Sequence, residues 1–93
     1  MAHVIRSRGL VEARRLKVDA DRVEFVEGGF LGKKKFTFNQ IDCVLMSPQH
    51  ELSFQVGKEV FSIPTKPYKA KHQAAIDALV QGVRRSAGDA ATF

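Results

Sequence analysis

The hydrophobic rhythm of this chain changes once, and that change limits the folds open to it. From Arg15 to Thr65 the period is two. Leu16, Val18 and Ala20 alternate with Arg15, Lys17 and Asp19. Val23 and Phe25 alternate with Arg22, Glu24 and Val26, and Phe36 and Phe38 with Lys35, Thr37 and Asn39. Leu52, Phe54 and Val56 alternate with Ser53 and Gln55, and Phe61 and Ile63 flank Ser62. Strand side chains point alternately to opposite faces, so each segment reads as a strand with one buried face. Beyond Pro64 and Pro67 the period becomes helical. Tyr68, His72, Ala75, Ile76, Leu79, Val80 and Val83 fall on one stripe, with Lys71, Asp77, Gln81, Arg84 and Arg85 off it. The pattern predicts an amphipathic helix over about 67–85, with Thr65 as N-cap and Pro67 in the first turn, where a missing N–H costs nothing. Arg84 and Arg85 suit the negative C-terminal end of its dipole, and Gly88 is the expected stop.

Turn chemistry separates the strands. Asp19-Ala20-Asp21 is a tight acidic turn, Gly28, Gly29 and Gly32 bracket a loop carrying Phe30 and Leu31, and Ser47-Pro48 opens another turn. Gly57-Lys58 is a two-residue hairpin connection, where Gly supplies the positive φ such turns demand. Alternation breaks at Asn39-Gln40 and resumes in opposite phase through Cys43-Val44-Leu45, which predicts a bend carrying the chain from one sheet to another. No interior stretch is long enough for a crossover helix, so the pairing should be antiparallel. The hydrophobic fraction of 44% and charged fraction of 27% suit a globular chain, and 93 residues suit one domain. The expected class is therefore mainly β with one C-terminal α-helix: a small bent antiparallel β-barrel or orthogonal sandwich of six to seven strands in a single domain, 1–93. Residues 1–14 are read as an N-terminal strand or an arm, or as a strand exchanged with another subunit. Residues 87–93 are read as a frayed tail.

Strand pairs, a strand ending in Ile41 before a Val-containing strand, a hairpin and one closing helix resemble the pleckstrin-homology superfold, nearest to its short bacterial pleckstrin-homology-like and GRAM-like members. The matching residues are Arg22 to Gly28, Phe36-Thr37-Phe38-Asn39-Gln40-Ile41-Asp42-Cys43-Val44, Leu52 to Gly57 and Val60 to Pro64, followed by a helix with His72, Ile76 and Leu79 facing in. The resemblance covers roughly Leu16 to Val83. It implies seven strands in two sheets with the helix plugging one end, the seventh strand lying around Val4 to Leu10. It also implies a platform rather than a chemistry: such domains bind phosphoinositides, peptides or other proteins, and function resides in a site.

The candidate anion or lipid site is basic. Lys33, Lys34 and Lys35 follow Gly32, and Arg14, Arg15 and Lys17 line an early strand. With Val4 to Leu10 as first strand, the lysine triplet falls in the third hairpin loop and Arg14-Arg15 lie near the first. Lipid-binding relatives gather cations there, although Arg6-Ser7-Arg8 and Arg15-Leu16-Lys17 only approximate the family's spacing. The plainer reading is a solvated loop that blunts a sheet edge. Phe30 and Leu31 are the candidate loop-tip contacts, for a membrane or a partner pocket.

Other chemistry finds little support. Gly28 and Gly32 enclose three residues rather than four, and Lys34 rather than Ser or Thr follows Lys33, so the loop is not a phosphate-binding one. His3, His50 and His72 lack metal-ligand spacing, and His72 reads as a hydrogen-bonded core histidine. Ser47 and His50 share a turn without a nucleophile elbow. No catalytic residue, metal or cofactor is expected, and the chain is read as a non-enzyme. The lone Cys43 excludes an internal disulfide and reads as a buried structural cysteine. No apolar run approaches the roughly 20 residues of a membrane span, and Met1 to Leu10 lacks the apolar centre of a secretory signal. A cytoplasmic setting follows, with peripheral membrane attachment open. The net charge of +5 admits anionic partners, and it equally suits the solubility of an ordinary small domain. Nucleic acid is disfavoured because the aromatic residues fall on the buried phase rather than on an exposed stacking face. The leading expectation is a non-catalytic scaffold for protein partners or for copies of itself, followed by binding of anionic lipid head groups and then by non-specific nucleic-acid binding.

Overall fold

The computed structural model describes residues 2–8, 13–27 and 32–91. The elements run β1 (His3–Arg8), β2 (Ala13–Val18), β3 (Arg22–Glu27), β4 (Lys33–Thr37), β5 (Cys43–Met46), β6 (Glu51–Val56), β7 (Glu59–Pro64) and α1 (Ala70–Ala91). Strands β1 to β4 form one antiparallel sheet in sequence order, and β5 to β7 form a second. The mainly β class with one C-terminal helix is thus observed. The N-terminal segment is a strand paired along its length with β2, from His3 opposite Val18 to Arg8 opposite Ala13. Among the described residues no ladder joins the two sheets, so they face each other without closing into a barrel.

Alternation explains the core. Ile5, Leu16 and Phe25 share one row across β1, β2 and β3, and Val18 and Val23 share the next; all are essentially unexposed. From the second sheet Leu52, Phe54, Phe61 and Ile63 meet them. Phe25 sits edge-on to Phe54 at 5.8 Å and tilted on Phe61 at 5.4 Å, and Phe36 packs on Phe61 at 5.1 Å. These rings join the two sheets, and each such contact adds about 0.5–1.5 kcal/mol beyond its area.

The bend at Asn39-Gln40 is a short 3-10 turn, Phe38–Gln40, between β4 and β5. Its polar residues satisfy it locally: the Thr37 amide donates to Gln40 Oε1 at 2.9 Å, and the Thr37 hydroxyl donates to Asn39 Oδ1. The turn drops Phe38 into the core and resets the strand phase. The phase that emerges differs from the sequence expectation. Val44 and Met46 lie on the rows of Phe54 and Leu52, whereas Leu45 is 65% exposed and Cys43 is half-buried on the outer face, its Sγ 3.6 Å from Gln55 Oε1.

The helix begins later and ends later than its apolar stripe suggested. Lys66-Pro67-Tyr68-Lys69 forms a β-turn, closed by Lys69 N–H to the Lys66 carbonyl at 3.0 Å. Pro67 presets that turn instead of a helical first turn, and Tyr68 stands 78% exposed. Thr65 is not an N-cap. Its amide and hydroxyl both donate to the His50 carbonyl, tying the end of β7 to the β5–β6 turn. The helix passes through Gly88 to Ala91, since an exposed glycine costs a helix only about 1 kcal/mol, so Arg84 and Arg85 sit inside it rather than in its last turn. Ala75 and Leu79 are buried against the first sheet, and Gly82 faces Phe38, where a Cβ would stand 2.6 Å from the ring Cζ.

Candidate functional site: a basic sheet face

Pairing in the first sheet sorts its cations by face. Residues directly opposite across a ladder point the same way, so Arg6, Arg15, Val26 and Lys33 form one outer row. Val4, Lys17, Glu24 and Lys35 form the next, with Arg22 opposite Thr37 beyond it. The outer rows therefore carry Arg6, Arg15, Lys17, Arg22, Lys33 and Lys35 with Glu24 as their one carboxylate, while Asp19 and Asp21 of the adjoining turn meet Lys17 and Arg22. Glu24 is 8% exposed. Lys33 Nζ lies 2.9 Å from its Oε1 and Lys17 Nζ 3.6 Å from its Oε2. The Lys33 hydrogen bond holds the Glu24 pKa below the ordinary carboxylate value, against the opposing effect of desolvation, with Lys17 and Lys35 adding attraction. Arg22 is engaged by its neighbour, Nε and Nη2 each 3.2 Å from an Asp21 oxygen.

The lysine triplet is not a loop cluster. It is the start of β4, an edge strand of the first sheet, and the strand period divides it. Lys33 and Lys35 face outward. Lys34 lies on the core side, over the Phe61 ring at 5.2 Å, and reaches Glu59 of β7 at 2.8 Å. Arg14 is also separated from Arg15 and Lys17: it lies on the core-side row, and its guanidinium donates to the Ser62 carbonyl of β7 at 3.0 Å. Of the six predicted cations, four share the outer face and two link the sheets. Phe30 and Leu31 lie outside the described residues. Sequence reasoning weighed Arg6 only within Arg6-Ser7-Arg8 and left it out of the candidate site, although it alternates with the buried Ile5 and so faces outward with Arg15 once β1 is paired.

The face presents point charges spaced by a strand ladder. Among the described residues no group of three His, Cys, Asp or Glu side chains is placed to hold a metal ion. His72 is buried, and its Nδ1 accepts the Lys66 amide at 2.9 Å, which leaves the proton of the neutral ring on Nε2. Burial lowers its pKa from 6.5, helped by Lys69 and Lys66. No helix among the described residues is long and apolar enough to cross a membrane. Comparison of the chain with protein-family models, curated proteins and solved structures finds no match.

Proposed function

We propose that this chain is a non-catalytic binding module of pleckstrin-homology-like design that docks an acidic patch of a protein partner on the outer face of its first sheet. Two facing sheets of four and three strands followed by one helix support the design. The observation that carries the function is the outer face itself, with Arg6, Arg15, Lys17, Lys33 and Lys35 arrayed about a single buried carboxylate. Glu24 fixes Lys17 and Lys33 in place, so part of the ordering cost of binding is met before the partner arrives. Fixed charges at strand spacing suit a partner whose own charges are fixed. Like charge opposes two copies meeting through this face, so the partner is a different, acidic chain. Anionic lipid is the second reading. It is favoured by the Arg6–Arg15–Lys33 row, which lies in the half of the sheet where β1 and β3 end and β2 and β4 begin.

Titration with a deca-glutamate peptide and, in parallel, with phosphatidylserine vesicles tests this at two salt concentrations. Arg15→Gln/Lys35→Gln removes two outward charges and leaves the Glu24 pairs intact. Peptide binding that weakens with salt and is lost in the variant supports the protein reading. Vesicle binding without peptide binding replaces it with the lipid reading. Binding unchanged in the variant would remove the face from consideration.

A further inference from the structure

A second basic site lies at the opposite edge of the first sheet from β4. A cavity of about 630 Å³ opens between edge strand β1 and the start of α1, lined by Val4, Arg6, Lys69, Ala70, Lys71 and His72. That volume falls in the range of small-molecule sites, roughly 300–1,000 Å³. Its charged lining comes from two elements and has one sign: Arg6 from β1, Lys69 and Lys71 from the start of the helix. No carboxylate lines it. Lys17, Lys33 and Lys34 each meet a carboxylate elsewhere, whereas among the described residues Arg6, Lys69 and Lys71 meet none. The first helical turn holds no acidic residue either, so the positive end of the α1 dipole adds to the same field. Three like charges around one hollow repel one another, and a multivalent oxyanion converts that repulsion into attraction.

We propose that this cavity binds the phosphate monoester group of a small molecule, held by Arg6, Lys69 and Lys71 with the His72 ring at its wall. Phosphate suits the donors because it offers three strong acceptor oxygens and close to two negative charges. Val4 and Ala70 supply the apolar surface for the rest of the ligand. The site shares Arg6 with the protein-docking face and differs in its other cations, since Lys69 and Lys71 take no part in the outer rows and Arg15 and Lys35 do not line the cavity.

The test is an amide and imidazole NMR titration with ribose 5-phosphate at constant ionic strength, with phosphatidic acid vesicles as a parallel arm. Saturating shifts centred on Ala70, Lys71 and His72 are expected. The dianion should also raise the His72 pKa by offsetting Lys69, Lys66, Lys71 and Arg6, the cations of the cavity wall and adjoining turn. Lys69→Gln/Lys71→Gln changes only exposed side chains and should weaken binding at least about tenfold, the usual loss for charge-assisted hydrogen bonds. Arg15→Gln/Lys35→Gln should leave it unchanged, which separates this site from the docking face. Saturation by vesicles but not by free sugar phosphate would assign the phosphate to a lipid head group and overturn the small-molecule proposal. Shifts that grow linearly, spread over every lysine, or persist unaltered in the Lys69/Lys71 variant would overturn the site itself.

Discussion

Two kinds of joint hold this molecule together. The helix is attached by apolar burial and steric fit: Ala75 and Leu79 are fully covered, and Gly82 admits the Phe38 ring of the inter-sheet turn. The two sheets are also tied by polar links, Arg14 to the Ser62 carbonyl and Lys34 to Glu59. The joints differ in strength for a simple reason. Burying a leucine-sized side chain stabilises by about 1.5–3 kcal/mol, whereas an exposed ion pair contributes about 0.2–1 kcal/mol. The outward cations, exposed or half-buried and engaged at most in ion pairs, therefore do little for the fold and can meet a partner without unfolding the domain.

The largest effect that would break this contrast belongs to the helix. Leu79→Asp places an unpaired carboxylate among core residues, a loss of several kcal/mol from a total of about 5–10, and should abolish the cooperative thermal transition. Ile76→Asp, one turn earlier at a half-buried position, should lower the melting temperature without abolishing the transition. Equal melting of the Leu79 variant and the native chain would show that the helix is not a structural joint. Gly82→Ala comes next. Alanine favours helix by about 1 kcal/mol, but here its methyl meets the Phe38 ring, and overpacking costs about 1–3 kcal/mol. Net destabilisation is expected in urea unfolding, with rescue when Phe38 is shortened to Leu.

Legibility followed the same division. The strands, the bend at Asn39-Gln40 and the buried phase of every long alternating run were visible because alternation is local and each strand has one covered face, whereas the phase of the four-residue β5 was misread. Two features escaped because they depend on partners distant in sequence. Lys33, Lys34 and Lys35 look alike in a row, and only pairing with β3 shows that the middle one faces the other sheet. Gly82 looks like a weak point in a helix until Phe38 is seen against it. The helix start was misjudged because Pro67 serves a first helical turn or a β-turn equally well, and the deciding bond, Lys69 to Lys66, is invisible in composition. The basic face was half legible. Arg15, Lys17 and the lysines were marked, but Arg6 joins them only through the β1–β2 register.

His72 offers a smaller, pH-dependent probe of the helix joint. Its folded pKa lies below 6.5, so the unfolded chain binds the proton more readily. The stability it contributes is complete above pH 6.5 and declines as pH falls from there toward the folded value. Protonation at Nδ1 would also cost the acceptor for the Lys66 amide. Glu24 acts in a lower window: its folded pKa is depressed below 4.5, so its contribution is present above pH 4.5 and is lost as pH falls through the folded value. Urea midpoints measured between pH 7 and 3 should therefore fall in two stages. His72→Gln, which keeps an acceptor for Lys66, should flatten the upper stage alone. A single stage near pH 4 in the native chain would place His72 outside the joint.

The smallest effect tests the polar links. In a double-mutant cycle, Lys34→Ala and Glu59→Ala should couple by about 0.2–1 kcal/mol, since both partners remain substantially exposed. Lys34→Ala should cost slightly more than its pairing energy, because the alkyl chain and ammonium also cover Phe61. Lys35→Ala, one residue along on the opposite face, should show no coupling to Glu59 and almost no change in melting temperature, while weakening capture of the acidic peptide. Adjacent lysines of the same strand would then separate into one that serves the sheet joint and one that serves the binding face. If Lys35 couples to Glu59 as strongly as Lys34 does, the β4 register is displaced by one residue, and the outer cationic rows must be redrawn with it.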